Sequence, residues 1–180
     1  SIGHEIWKID AVRGVQLATV SLPEEVAGMH WGYVAEHHGQ LFVSVMKTDA
    51  PRLQGEPQRP GVVESARFDP AVLRKRYAEQ DYGSSRPLVC SRFLYSLDAE
   101  GQVKWKYDGN SVIANSAISL DFDGEKIVLV ESRTESCLGS ETDRLSVAEL
   151  TRQAYVTCLD TASGEVLWSC PLPFKNANNC

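Results

Sequence analysis

Val156-Thr-Cys-Leu-Asp160-Thr-Ala-Ser-Gly164-Glu-Val-Leu-Trp168 is the stretch on which the reading of the fold turns. A β-rich run closes on Leu-Asp, a glycine follows four positions later, and a second β-rich run ends on tryptophan. This is the chemistry of a tight antiparallel hairpin. The aspartate carboxylate accepts turn N–H groups, and the glycine takes the positive φ that a bulged loop needs. The tryptophan is a large apolar plate on the outgoing strand, suited to packing against a neighbouring sheet.

The same pattern recurs upstream as Leu94-Tyr-Ser-Leu-Asp98-Ala-Glu-Gly101-Gln-Val-Lys-Trp105 and as Ile6-Trp-Lys-Ile-Asp10-Ala-Val-Arg-Gly14-Val-Gln-Leu-Ala18. Asp10 and Gly14, then Asp98, Gly101 and Trp105, then Asp160, Gly164 and Trp168 are therefore equivalent repeat positions. The first copy departs at its end, where Ala18 stands in place of the tryptophan. With Thr157 opposite Trp168, the same register sets Trp7 opposite Ala18, so that the large residue crosses to the partner strand and the packed volume survives. That register also puts Cys158 and Cys170 on opposite faces of their hairpin, against a disulfide between them.

Two more hairpins lie between the copies. Trp31 to Glu36, a His37-His38-Gly39 turn and Leu41 to Met46 make one; Ser116 to Phe122, an Asp123-Gly124 turn and Lys126 to Glu131 make the other. Their apolar runs, Leu41–Val43 and Ile127–Val130, are continuous, as in strands covered on both faces. The chain thus reads as a hairpin (strands near 4–10 and 15–20, within 1–22) followed by two four-stranded meanders. The first meander, in 29–110, takes 31–36, 40–46, 92–98 and 102–107, with an insertion at 47–91. The second, in 111–172, takes 115–122, 125–131, 154–160 and 165–170, with an insertion at 132–153; residues 173–180 lead onward. In the first insertion Asp69 as N-cap, Pro70 and a Phe68–Leu73 staple predict a helix over about 70–80. In the second, Ser146-Val-Ala-Glu149 is a capping box that starts one or two turns.

An Asp-x-x-(x)-Gly-x-x-x-Trp repeat closing an antiparallel meander resembles the repeat of the pyrroloquinoline-quinone-like (PQQ-like) β-propellers, and the resemblance covers nearly the whole chain outside the insertions. It implies an all-β fold: a propeller fragment of about two and a half four-stranded blades, cut from a longer chain, in which the repeat tryptophan docks blade to blade. It further implies that the partners are the remaining blades of the same chain, and a periplasmic, cell-envelope or extracellular location; the insertions, as loops on a rigid scaffold, either meet other proteins or ligands or only cover exposed strands and neighbouring blades. The function expected is that of a non-catalytic scaffold or binding module. The alternative is a quinoprotein oxidoreductase holding PQQ and Ca²⁺, but the family's calcium ligands, catalytic aspartate and adjacent-cysteine pair have no counterpart that can be placed here. Two and a half blades would leave uncovered faces, so the piece alone is expected to self-associate or fold marginally.

Other classes of chemistry find little footing. A net charge of −6, with Arg74-Lys75-Arg76 as the one basic cluster, argues against a nucleic-acid surface. No apolar run approaches the length of a membrane span, and these residues contain no charged-then-apolar leader, so one either lies upstream of Ser1 or has been cut away. The five cysteines are an odd number without a C-x-x-C pair. Asp10, Asp98 and Asp160 are turn acceptors before they are catalytic carboxylates, and Trp105 and Trp168 are packing residues before they are cofactor platforms. His37-His38 sits in a turn where adjacent side chains diverge, with no third ligand spaced to join them as a metal site. Glu131, Ser132 and Arg133 end an apolar strand, either as an ordinary polar strand end or as a ligand contact. No Gly-x-Ser-x-Gly, Walker or His-Glu-x-x-His motif occurs, and no Gly-His…Trp-Asp pairs mark a WD40 domain.

Overall fold

The computed structural model describes residues 3–47, 88–140 and 143–173. The helix expected over 70–80 and the segment 174–180 lie outside the described residues. Three antiparallel sheets follow one another along the chain. Strands β1 (Glu5–Ile9) and β2 (Gln16–Ser21) form the leading hairpin. The middle sheet is a meander of β3 (His30–His37), β4 (Gln40–Met46), β6 (Phe93–Leu97) and β7 (Val103–Tyr107). The last sheet contains the second meander, β8 (Val112–Leu120), β9 (Lys126–Ser132), β11 (Ala154–Asp160) and β12 (Val166–Pro171).

That last sheet is wider than the sequence suggests, because two strands from the insertions extend it to six. β5 (Leu88–Ser91) pairs with β8, and β10 (Arg144–Leu145) pairs with β5 in turn. The chain then crosses between sheets within one step: Ser91 lies opposite Ile113 in the last sheet, while the Arg92 N–H donates to the Val45 carbonyl of the middle one. The second insertion also carries two short helices, α1 (Glu135–Leu138) and α2 (Val147–Thr151). Ser146 and Glu149 form the capping box at the start of α2.

The three Asp-turn-Gly hairpins share one register. Lys8 lies opposite Ala18, Ser96 opposite Trp105 and Cys158 opposite Trp168, and each hairpin has a β-bulge one step nearer the turn. At the turn Leu159 faces Val166; the bulge then leaves Leu167 unpaired, and every pair beyond it is shifted by one. This corrects two expectations. Thr157 lies opposite Ser169 rather than Trp168, and Trp7 lies opposite Thr19 rather than Ala18. Because successive residues of a strand point to opposite faces, Trp7 is on the other side of its hairpin from Ala18 and supplies none of the missing volume. The same shift corrects a third expectation: Cys158 and Cys170, placed on opposite faces by the expected register, are brought to one face as diagonal neighbours, yet both are free thiols.

The sheets stack face to face. Ile6 and Val20 of the leading hairpin pack with Val43, Val45, Tyr95 and Leu97 on one face of the middle sheet. From its other face Phe42, Leu94, Trp105 and Tyr107 meet Ile113, Ile118, Ile127, Leu129 and Leu159 of the last sheet. A third cluster, with Cys90, Val112, Ala114, Cys137, Leu145 and Leu150, ties the second insertion and β5 to the start of β8. The continuous apolar run of β4 follows from burial on both faces, whereas in β9 Ile127 and Leu129 are buried on one face and Val128 and Val130, on the other, are only partly so.

Candidate functional site

The repeat residues meet at the junctions between sheets. In each turn the aspartate does the local work: Asp10 Oδ1 accepts the N–H groups of Val12 and Arg13, Asp98 Oδ1 those of Glu100 and Gln102, and Asp160 Oδ1 those of Ala162 and Ser163. These bonds hold the Asp160 carboxyl below the usual carboxylate range, with the Ser163 N–H the largest cause. Gly14, Gly101 and Gly164 stand at φ +67°, +85° and +74°.

Each occupied junction sets a side chain of one sheet on a turn glycine of the next. Trp105 lies against Gly164, where an added methyl would come within 2.6 Å of the indole Cδ2, and its Nε1 donates to the Thr161 carbonyl at 2.9 Å. Val20 lies against Gly101, with an added methyl 3.1 Å from Cγ1. A third instance uses His37, whose ring covers Gly124 and whose Nε2 is 3.1 Å from the Asp123 carbonyl oxygen. The His37 and His38 rings meet edge to face with centroids 4.0 Å apart, so the side chains expected to diverge are in contact. Trp168, by contrast, is 48% exposed, and Gly14 has nothing within 4 Å of an added methyl.

Beside the Trp105 contact, the middle and last sheets share a buried carboxylate. Glu131 is fully buried. Its Oε1 accepts from Arg133 Nη2 at 2.5 Å, Arg133 Nε at 3.1 Å and Thr157 Oγ1 at 2.8 Å. Its Oε2 accepts from Tyr107 at 2.9 Å and Ser111 at 2.5 Å. Burial first, and the Glu131 charge next, push the Tyr107 phenol well above its ordinary value, so it stays a donor. Arg133 also stacks 4.2 Å from the Tyr155 ring and reaches Ser169 at 2.9 Å. The strand end therefore differs from both sequence expectations: its carboxylate is neither a surface group nor open to a ligand, but the hub of a charge-assisted network across the junction.

Two smaller polar sites hold the insertions. Asp143, fully buried and in the left-handed region at φ +51°, accepts from Arg92 Nε at 2.7 Å and has Lys47 Nζ at 3.7 Å, while its Oδ2 has no hydrogen-bond partner. Arg92 Nη2 continues to the carbonyls of Cys137 and Ser140. Where β5 leaves for β6, Ser44, Ser91 and Asn115 bond to one another around Gly32, which leaves no room for a side chain there. Burial pushes the Cys90 thiol up to about 12. Among the described residues, no three His, Cys, Asp or Glu side chains converge as a metal site would, and no helix is long and apolar enough to cross a membrane.

No signal in the sequence marks Asp143 as buried, because its partners come from the end of β4 and the crossing at Arg92. For Glu131 one signal exists, an acidic residue with an arginine two positions on, on the same strand face. A comparison with protein-family models returns no match for this chain, and none is found among curated proteins.

Proposed function

We propose that the chain is a stretch of PQQ-like β-propeller serving as a non-catalytic scaffold or binding module, its sheets being successive blades and its location the periplasm or cell envelope. One observation carries the reading. Three hairpins with the same register, the same bulge and the same Asp-turn-Gly chemistry lie in three sheets stacked in chain order, and each of the first two leans a side chain on the next one's turn glycine. Radial repetition of one such unit is what a propeller requires.

The scaffold half of the reading is supported by how the charged groups are used. Glu131 has five donors on its two oxygens, which leaves it no site for a substrate proton. The repeat aspartates are committed to their own turns. The surface offered to a partner is then the second insertion, where α1 and α2 are fixed to the sheet by the Arg92–Asp143 pair and the apolar cluster around Cys137 and Leu150.

The test is addition of PQQ and Ca²⁺ to the purified protein, followed by dye reduction with alcohols or aldoses as substrate. The expected result is no saturable quinone binding and no turnover. Stoichiometric binding with substrate-dependent reduction would overturn the scaffold reading in favour of a quinoprotein oxidoreductase.

A further inference from the structure

In the first two copies, the segment that enters the Asp-turn-Gly hairpin also joins it to the next sheet. Ser91 stands three residues before Leu94, where the second copy of the repeat begins, and pairs with Ile113 on β8. Gly3 stands three residues before Ile6, where the first copy begins, and its carbonyl accepts from the Trp31 N–H on β3 at 3.1 Å. The two partners are equivalent in turn. Trp31 faces Val45 and Ile113 faces Glu131, and in both strands an irregularity separates that pair from the next, Val34 with Val43 and Ile118 with Leu129. One link between successive sheets therefore occurs twice. In the third copy the equivalent residue, Gln153, follows α2, and its carbonyl accepts from the Arg133 N–H at the end of β9 in its own sheet.

Between the middle and last sheets the link is a short ladder. Cys90 faces Ala114 and Ser91 faces Ile113. The Cys90 N–H is turned to the Asp143 carbonyl beside β10, so by alternation the backbone of Ser91 is turned to β8. Side chains fasten the ladder to both sheets: Ser91 Oγ lies 2.9 Å from Ser44 Oγ of β4 and 2.6 Å from Asn115 Oδ1 of β8. Gly32 of β3 is pressed against the same group, where an added methyl would stand within 2.8 Å of all three side chains. Arg92, one residue on, donates its N–H to the Val45 carbonyl of the middle sheet and its Nε to the buried Asp143.

We propose that this entering segment is a stitch, which bonds the backbone of one sheet to the next and makes the middle and last sheets open as one cooperative unit. Sheets that meet through side chains alone can part at the junction while each keeps its own ladder, and they then open as separate units. A chain paired to β8 at Ser91 and bonded to β4 at Arg92 cannot follow both sheets as they part. Parting therefore breaks buried backbone pairs as well as exposing the apolar junction. The stitch follows from the strand pairing and does not require the propeller reading.

Native-state hydrogen exchange in graded urea tests it. In the wild type the amides of β4 and β6 should merge with those of β9 and β11 into one opening of common rate and urea dependence. Ser91→Pro removes the N–H turned to β8 and should split that opening into two, with rates at least tenfold apart. Ile118→Ala trims the apolar junction and spares the stitch, so it should speed exchange in both sheets alike. Wild-type sheets that already open separately overturn the proposal. So does a Ser91→Pro protein whose sheets still open together, or an Ile118→Ala protein whose sheets open apart, because apolar contact would then be the coupling. Should Ser91→Pro fail to fold, Asn115→Ala decides: it removes only the side-chain fastening, and unequal acceleration of the two sheets supports the stitch while equal acceleration counts against it.

Discussion

Between the middle and last sheets Trp105 rests on Gly164, whereas between the leading hairpin and the middle sheet it is Val20, two residues beyond the repeat position, that rests on Gly101. The backbone is the same in both places, down to the bulge. What differs is the side chain that fills the space, and the difference shows which part of the repeat is rigid. Turn aspartate, left-handed glycine and bulge set where the sheets meet. The plate between them can be a tryptophan, or a valine one pleat further along the same face, so Ala18 at the repeat position is tolerated without help from Trp7.

The widest separation between positions is expected at the tryptophans. Trp105→Ala empties a buried junction and should cost about 3–5 kcal/mol. Val20→Ala removes two carbons and should cost about 1–2 kcal/mol. Trp168→Ala, at the same repeat position but half exposed, should stay within about 0.5 kcal/mol for the isolated molecule. Urea denaturation at a concentration where the chain is monomeric gives the three values. Equal losses at Trp105 and Trp168 would mean that the turn glycine is not what Trp105 binds.

The glycines separate turn strain from docking. Alanine at Gly14 or Gly164 incurs the left-handed penalty of about 1–2 kcal/mol. At Gly14 the added methyl meets nothing within 4 Å, while at Gly164 it meets the Trp105 ring at 2.6 Å. Gly164→Ala should therefore lose about 1–3 kcal/mol more than Gly14→Ala, the usual range for forced overpacking. Thermal melts of the two variants compare them directly.

How much of this was legible in sequence follows the range of the interaction. The hairpins were, because Asp and Gly at a fixed offset act within one turn, and so was the capping box of Ser146 and Glu149, which spans four residues. The register was not, because the bulge at Cys158/Leu159 shifts the pairing by one without a residue that announces it. β5 and β10 were missed because strands of four and two residues carry no usable periodicity, and their pairing joins two separate insertions. Glu131 read as a strand end because three of its donors, Tyr107, Ser111 and Thr157, come from elsewhere in the chain.

Polar and apolar parts of the same junction can be weighed against each other through Tyr107. Tyr107→Phe keeps the ring in the apolar cluster and leaves Glu131 one donor short, at an expected cost of about 1–2 kcal/mol, less than Trp105→Ala. The sign with pH is fixed by the raised phenol: its folded value lies above the unfolded 10.0, so its contribution is full below that value and is lost as pH rises through the folded one. Stability measured from neutral to alkaline pH should fall more steeply in the wild type than in Tyr107→Phe.

The insertion, unlike the stacked sheets, depends on a local cap. Ser146 Oγ and the Ser146 N–H both donate to the Glu149 carboxylate, at 2.7 and 2.8 Å, and hold it below the usual carboxylate range. A depressed carboxylate stabilises the fold above its unfolded value and loses that contribution as pH falls through the folded one. Acidification below the ordinary carboxylate range should therefore fray residues 147–151 before it loosens the sheets, because the sheet junction is held mainly by apolar contacts. Ser146→Ala should cost about 1 kcal/mol at neutral pH and flatten the acid response of the same amides. Amide exchange by residue measures both, and a wild-type α2 that keeps its protection until the whole molecule unfolds would mean that Cys137 and Leu150, rather than the cap, hold the insertion in place.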